Sequence, residues 1–198
     1  MHRRSLVLIS LLLALAVPLS ASQFIEMPFD RIARESSLIV RGSVENTFSA
    51  WDDAHEVIFT YATIRVSRYF GEATGPDTLV VREVGGTVDG YTQEAIGFPM
   101  VRRGENVVLM LAKWDDSADY RIHAFNQGKF LVQNRAGIEV LVSDPVHQGE
   151  ARLAAPAPFR PQADAVQADG PSLTMSEFES MVEQARAAEP LRPFMQRQ

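Results

Sequence analysis

Two short stretches carry residue types suited to chemistry at a surface: Trp51-Asp52-Asp53-Ala54 and Trp114-Asp115-Asp116-Ser117. An indole offers a flat apolar face whose quadrupole attracts cations, and two neighbouring carboxylates add charge and acceptors. The combination can stack on a sugar ring or hold a cation. The same letters also read as Asp-rich turns between strands, with each tryptophan capping one end of the fold. Trp51, Asp52, Asp53, Trp114, Asp115 and Asp116 are therefore candidate ligand-binding residues.

Other motifs each lack a residue their chemistry requires. Gly85 and Gly90 have the spacing of a phosphate loop, but Tyr91-Thr92 stand where Lys and Ser/Thr would meet phosphate and magnesium. His55-Glu56 begins like a zinc-protease helix, yet Phe59 occupies the second histidine position. Asp115, Ser117 and Asp119 alternate like the start of a calcium loop, with Tyr120 in place of its glycine and Asn126 in place of its bidentate glutamate. There is no G-x-S-x-G elbow, and a chain without cysteine has no thiol nucleophile. No catalytic residue, metal site or cofactor is expected. Gly85, Gly86, Gly97 and Gly104, with Pro99, are read as structural turns, because glycine is the usual residue where φ turns positive.

The elements that must position the tryptophans follow from period-two patterning. LIVRGSVEN, then Glu56–Phe70, then DTLVVREV, ENVVLMLAKW and YRIHAF read as five strands, and GKFLVQ and GIEVLV as two more. In the second strand Ile58, Ala62, Ile64 and Val66 share an inner face, with Phe59, Tyr61 and Arg65 outside. SAWDDAH and WDDSAD read as the turns before the second and fifth strands. These are the two loops that flank the binding face if the five strands close as an OB-type barrel. Pro28–Ser36 fits one or two helical turns with Phe29, Ile32 and Ala33 on one side. Thr174 to Glu177 is a capping-box signature ahead of Phe178, Met181, Val182 and Ala185 at helical spacing. The expected fold is mainly β: a small OB-like closed or partly open barrel over residues 23–144, with an added hairpin and a C-terminal helix over 173–190. The Ala/Pro-rich residues 145–172 read as a linker or strap.

Residues 1–22 place His2, Arg3 and Arg4 before an apolar run from Leu6 to Val17 and end in small residues, as a secretory signal peptide does. The run is too short to span a bilayer, so no stable membrane anchor is expected after cleavage, and the product should be periplasmic or extracellular. Removing two arginines and no acid takes the formal net charge from -6 to -8. That balance argues against nucleic acid and leaves an unknown protein, peptide or polysaccharide as the expected partner. Without disulfides, packing must carry the stability of this exported chain.

SSLIVRGSV, IFTYATIRVSRYFGE, LVVREVGG, IGFPMVRRGENVVLML and FNQGKFLV together resemble a group of exported bacterial domains that share an S-L-I-V-x-G-x-V strand, a V-R-x-x-G-G turn and a G-F-P-x-F-x-x-G-E-x-V-L-L-F-L segment. Similar modules precede matrixin-like metalloproteases. The layout is also similar to the OB-type barrel of netrin modules and tissue inhibitors of metalloproteinases. The resemblance covers Ser36 to Gln133 and implies a binding module, or alternatively a partner or inhibitor of a secreted protease. Such inhibitors chelate zinc through an N-terminal cysteine, which this chain lacks, so that mechanism does not carry over.

Overall fold

The computed structural model describes residues 26–95, 97–143 and 172–188. The leader expected over residues 1–22 and the Ala/Pro-rich segment expected over 145–172, except for Ser172, lie outside the described residues. In chain order the elements are α1 (Phe29–Glu35), β1 (Leu38–Trp51), β2 (Ile58–Tyr69), β3 (Thr78–Val84), β4 (Gly86–Val88), β5 (Tyr91–Gln93), β6 (Asn106–Lys113), β7 (Tyr120–Ile122), β8 (Lys129–Arg135), β9 (Ile138–Ser143), β10 (Ser172–Thr174) and α2 (Met175–Ala187).

Five of the strands close a ring in the order β1-β2-β3-β7-β6 and back to β1. All neighbours are antiparallel except β3 and β7, which run parallel and share one bridge, Val81 to Tyr120. The protein is thus mainly β, with a closed five-strand barrel, an extra β4–β5 hairpin and a C-terminal helix. The edge of β6 that pairs β7 near Leu111 goes on to pair β8 near Val108, and β9 and β10 extend the sheet outward.

Alternation decides what each strand buries. Val40, Val44, Ala62, Ile64, Leu79, Val81, Val107, Leu109, Leu111 and Ile122 fill the barrel, joined by Val101 from the loop before β6. The intervening Ile39, Val108 and Met110 face outward and form a second core with Phe130, Leu141 and the two helices. β6 is buried on both faces, which explains why VVLMLA reads as an unbroken apolar run. Phe178 of α2 anchors the second core: its ring meets Phe29, Phe70 and Phe130 edge-on at 5.3 to 5.5 Å. Truncating it to alanine would cost roughly 3–5 kcal/mol.

Local chemistry sets the ends of the elements. Thr174 caps α2: its hydroxyl accepts from Glu177 N while the Glu177 carboxylate accepts from Thr174 N, and the helix stops at Ala187, short of residue 190. β1 continues three residues past the point where SAWDDAH suggests a turn, because Ser49, Ala50 and Trp51 still pair with Thr60, Phe59 and Ile58. β7 is shorter than YRIHAF implies. It ends at Ile122, and Ala124 and Phe125 adopt left-handed backbone angles that turn the chain into a 3₁₀ turn over Phe125–Gly128. His123 is therefore not a mid-strand residue, although its amide still donates to Met110 O at 2.8 Å. Gly128 makes the turn possible, since a Cβ there would collide with His123 O. Below the barrel, fully buried Lys129 donates to Met100 O at 2.6 Å and pairs with Glu105 at 2.8 Å, tying down the loop ahead of β6. Such a pair holds its geometry because breaking one side would strand a buried charge.

Candidate functional site

The turn after β1 is built around Asp52. Its Oδ1 accepts from the amides of Glu56 at 2.7 Å and Val57 at 3.0 Å, and its own amide donates to Val57 O at 2.8 Å. Those two donors hold its carboxyl below the usual carboxylate range. His55 sits in the left-handed region at φ 58°, which sets its ring nearly parallel to Trp51 with centroids 5.9 Å apart. A third ring arrives from a distant part of the chain. Tyr91, at the tip of the β4–β5 hairpin and 67% exposed, meets Trp51 at 63° with centroids 6.1 Å apart.

The hairpin is pinned over this end of the barrel. Gly85 N donates to Ile58 O at 2.7 Å, and Ile58 N donates to Gln93 Oε1 at 2.7 Å. Gly86, at φ +143°, lies against β1 and β2 so closely that a Cβ would collide with Ser49 Oγ and Thr60 Oγ1. Asp53, Glu56, Asp89 and Glu94 are exposed on these two segments, and neither residues 48–64 nor 83–101 contain a lysine or arginine. This end of the molecule is aromatic and anionic.

The turn after β6 carries the same Trp-Asp-Asp letters in a different setting. Trp114 Nε1 donates to Arg82 O at 2.9 Å, and its ring meets Phe59 edge-on at 5.9 Å. The Arg82 guanidinium lies 4.6 Å from the Trp114 centroid and 4.9 Å from that of Phe59, and Arg121 lies over the same indole at 5.5 Å. Asp116 completes the arrangement with an ion pair to Arg82 at 2.5 Å, while Asp115 is exposed. The ring offered for sugar stacking is occupied by the chain's own cations.

The two tryptophans do not form one site. Trp51 pairs with Ile58, a core residue, and so belongs to the inner side of β2. The next residue, Phe59, points outward and is the one Trp114 meets. Among the residues read as turns, Gly85, Gly97 and Gly104 adopt φ of +105°, +83° and +88°, and Pro99 is buried.

Glu83 has the most perturbed environment, and its position in VREV is the one signal that could have revealed it: Leu79, Val81 and Glu83 share the inner face of β3. Only 5% exposed, it accepts from Ile122 N at 2.5 Å, and burial pushes its carboxyl up to about 8. It patches the barrel where β3 and β7 share a single bridge, while Trp114 satisfies Arg82 O from the other face. His123 is pushed the other way by burial, with its Nε2 3.6 Å from Glu35. Two shallow grooves flank α2, lined in part by Leu173, Met181 and Gln184, remote from both tryptophan turns.

Among the described residues no three His, Cys, Asp or Glu side chains gather as metal ligands, and no helix is long and apolar enough to cross a membrane. Protein-family models, curated proteins and solved structures return no match to this chain, so its functional reading rests on the geometry above.

Proposed function

We propose that this chain is an exported, non-enzymatic interaction module that receives a protein, peptide or polysaccharide partner at the barrel end formed by the Asp52–Val57 turn and the β4–β5 hairpin. One observation carries the reading: Trp51, His55 and Tyr91, from two separate segments, converge on a rigidly hydrogen-bonded turn with Tyr91 largely exposed. Aromatic rings held in advance on a stiff scaffold lose little freedom on binding. The residues at this end are rings and exposed carboxylates rather than a nucleophile beside a base, which supports binding over catalysis. Export is supported by the leader-like composition of residues 1–22. The resemblance to domains that precede matrixin-like proteases supports a secreted protease as one such partner.

The test is a thermal-shift screen of the protein against oligosaccharides and envelope peptides, with Trp51→Ala and Tyr91→Ala in parallel. A ligand that raises the wild-type midpoint and fails on both variants supports the barrel-end site. A ligand that stabilises all three proteins equally rejects it. Mass spectrometry of the chain recovered outside the cytoplasm reads export directly: loss of the leader is expected, and an intact N-terminus in the cytoplasm would reject that part.

A further inference from the structure

The Trp114 turn shows within this molecule what a Trp-Asp-Asp turn holds. Arg82 lies over the indole at 4.6 Å and bonds the carboxylate two residues on, Asp116, at 2.5 Å. The ring supplies quadrupole attraction and the carboxylate supplies charge, and the two act on one planar cation. Trp51 has the same spacing to Asp53. Among the described residues, however, no guanidinium or ammonium lies over Trp51: the cation contacts are to Phe59, Phe70 and Trp114. Asp53 is exposed, whereas Asp52 is committed to the Glu56 and Val57 amides. Tyr91 adds an exposed ring beside the half-buried Trp51, and Glu56, Asp89 and Glu94 add negative charge on segments free of Lys and Arg.

We infer that the Trp51 end receives an arginine or lysine side chain from a basic peptide segment of the partner, with Trp51 and Tyr91 against the cation and Asp53 as its counter-ion, in the manner of Arg82 at Trp114. This rests on the barrel-end reading above and narrows its ligand to a cationic peptide. Charge complementarity favours that class over the alternatives. Acidic peptides would meet Asp53, Glu56, Asp89 and Glu94 with like charge, and a neutral sugar would use those carboxylates as hydroxyl acceptors but leave their concentrated negative charge without a counter-ion.

The experiment follows the two indole N–H resonances by NMR, using protein expressed from the full chain. They are assigned with Trp51→Phe and titrated with hexa-arginine, a hexa-glutamate peptide and chito-oligosaccharide. Hexa-arginine is expected to move the Trp51 signal saturably and leave Trp114 in place, with affinity falling as salt is raised. Trp51→Ala should weaken binding about tenfold, in line with a desolvated cation–aromatic contact. Asp53→Asn should weaken it several-fold, and Asp115→Asn, which removes the same charge elsewhere, should not. Equal loss in Asp53→Asn and Asp115→Asn would reduce the effect to bulk charge and overturn the inference. A Trp51 response to chito-oligosaccharide or hexa-glutamate but not to hexa-arginine would overturn it while keeping the barrel-end site. No Trp51 response to any of the three, from folded protein, would reject both.

Discussion

The turn after β1 and the turn after β6 begin with the same three residues and both tryptophans are half-buried, yet one is committed to the chain's own cations and the other is not. Trp114 is bonded to Arg82 O, packed on Phe59 and overlaid by two guanidiniums, whereas the ring partners of Trp51 are His55 and Tyr91. The difference arises in neighbouring strands. β3 and β7 contribute Arg82 and Arg121 beside Trp114, while the segments around Trp51 contain no lysine or arginine. A local motif offers chemistry, and the strands packed against it decide whether that chemistry is spent internally.

The strongest way to break this contrast is to truncate each indole in turn. Trp114→Ala should destabilise the fold by roughly 3–5 kcal/mol, since it strips the cover from Arg82 and orphans its carbonyl. Trp51→Ala should cost only about 1–2 kcal/mol. Chemical denaturation reads both, and equal losses would erase the distinction.

Glu83 sharpens the contrast through pH. Burial raises its folded pKa to about 8 from the ordinary 4.5 of a glutamate in water, so folded and unfolded chains are both protonated below that lower value. Above it the unfolded chain ionises first, and stability falls until the pH passes about 8, then levels. Glu83→Gln retains an acceptor for Ile122 N and carries no proton. It should flatten that decline and gain about 4–5 kcal/mol at pH 9, with little change at pH 4. Melting curves across pH check this, and parallel wild-type and variant profiles would contradict it.

On the Trp51 side, Gly86→Ala should lower stability by about 1–3 kcal/mol, because the new methyl collides with Ser49 and Thr60 and the backbone angle suits glycine. Its signature is a hairpin lifted from the barrel end, seen as loss of the Trp51–Tyr91 contact by NMR. The smallest effects should come from the carboxylates. Asp116→Asn should cost about 0.5 kcal/mol, as expected for a pair with one exposed partner, and Asp53→Asn should be nearly neutral for folding.

Much of the fold was legible because alternation is strict where one face is buried: Ile58, Ala62 and Ile64 inside, Phe59 and Tyr61 outside. The capping box at Thr174 was legible because its chemistry lies within four residues. Three features were not. The end of β7 depends on left-handed angles at Ala124 and Phe125, positions where glycine would have been the signal and is absent. An added hairpin is expected from the sequence, but its place over the Trp51 end is not, because Gly86–Gln93 lie among residues whose glycines indicate only turns. The division of labour between the two tryptophans depends on Arg82, Arg121 and Tyr91, which lie far from one or both turns in the chain and near them only once the ring closes.

β6 is a wall shared by two cores, with Val107, Leu109 and Leu111 facing the barrel and Val108 and Met110 facing the helices. A strand that belongs to both compartments couples their fates: the helical layer cannot peel away without baring one side of the barrel's most buried strand. The amides of Val107 to Leu111 should therefore exchange with solvent only when the whole molecule opens, and the barrel and its helices should melt as one cooperative unit.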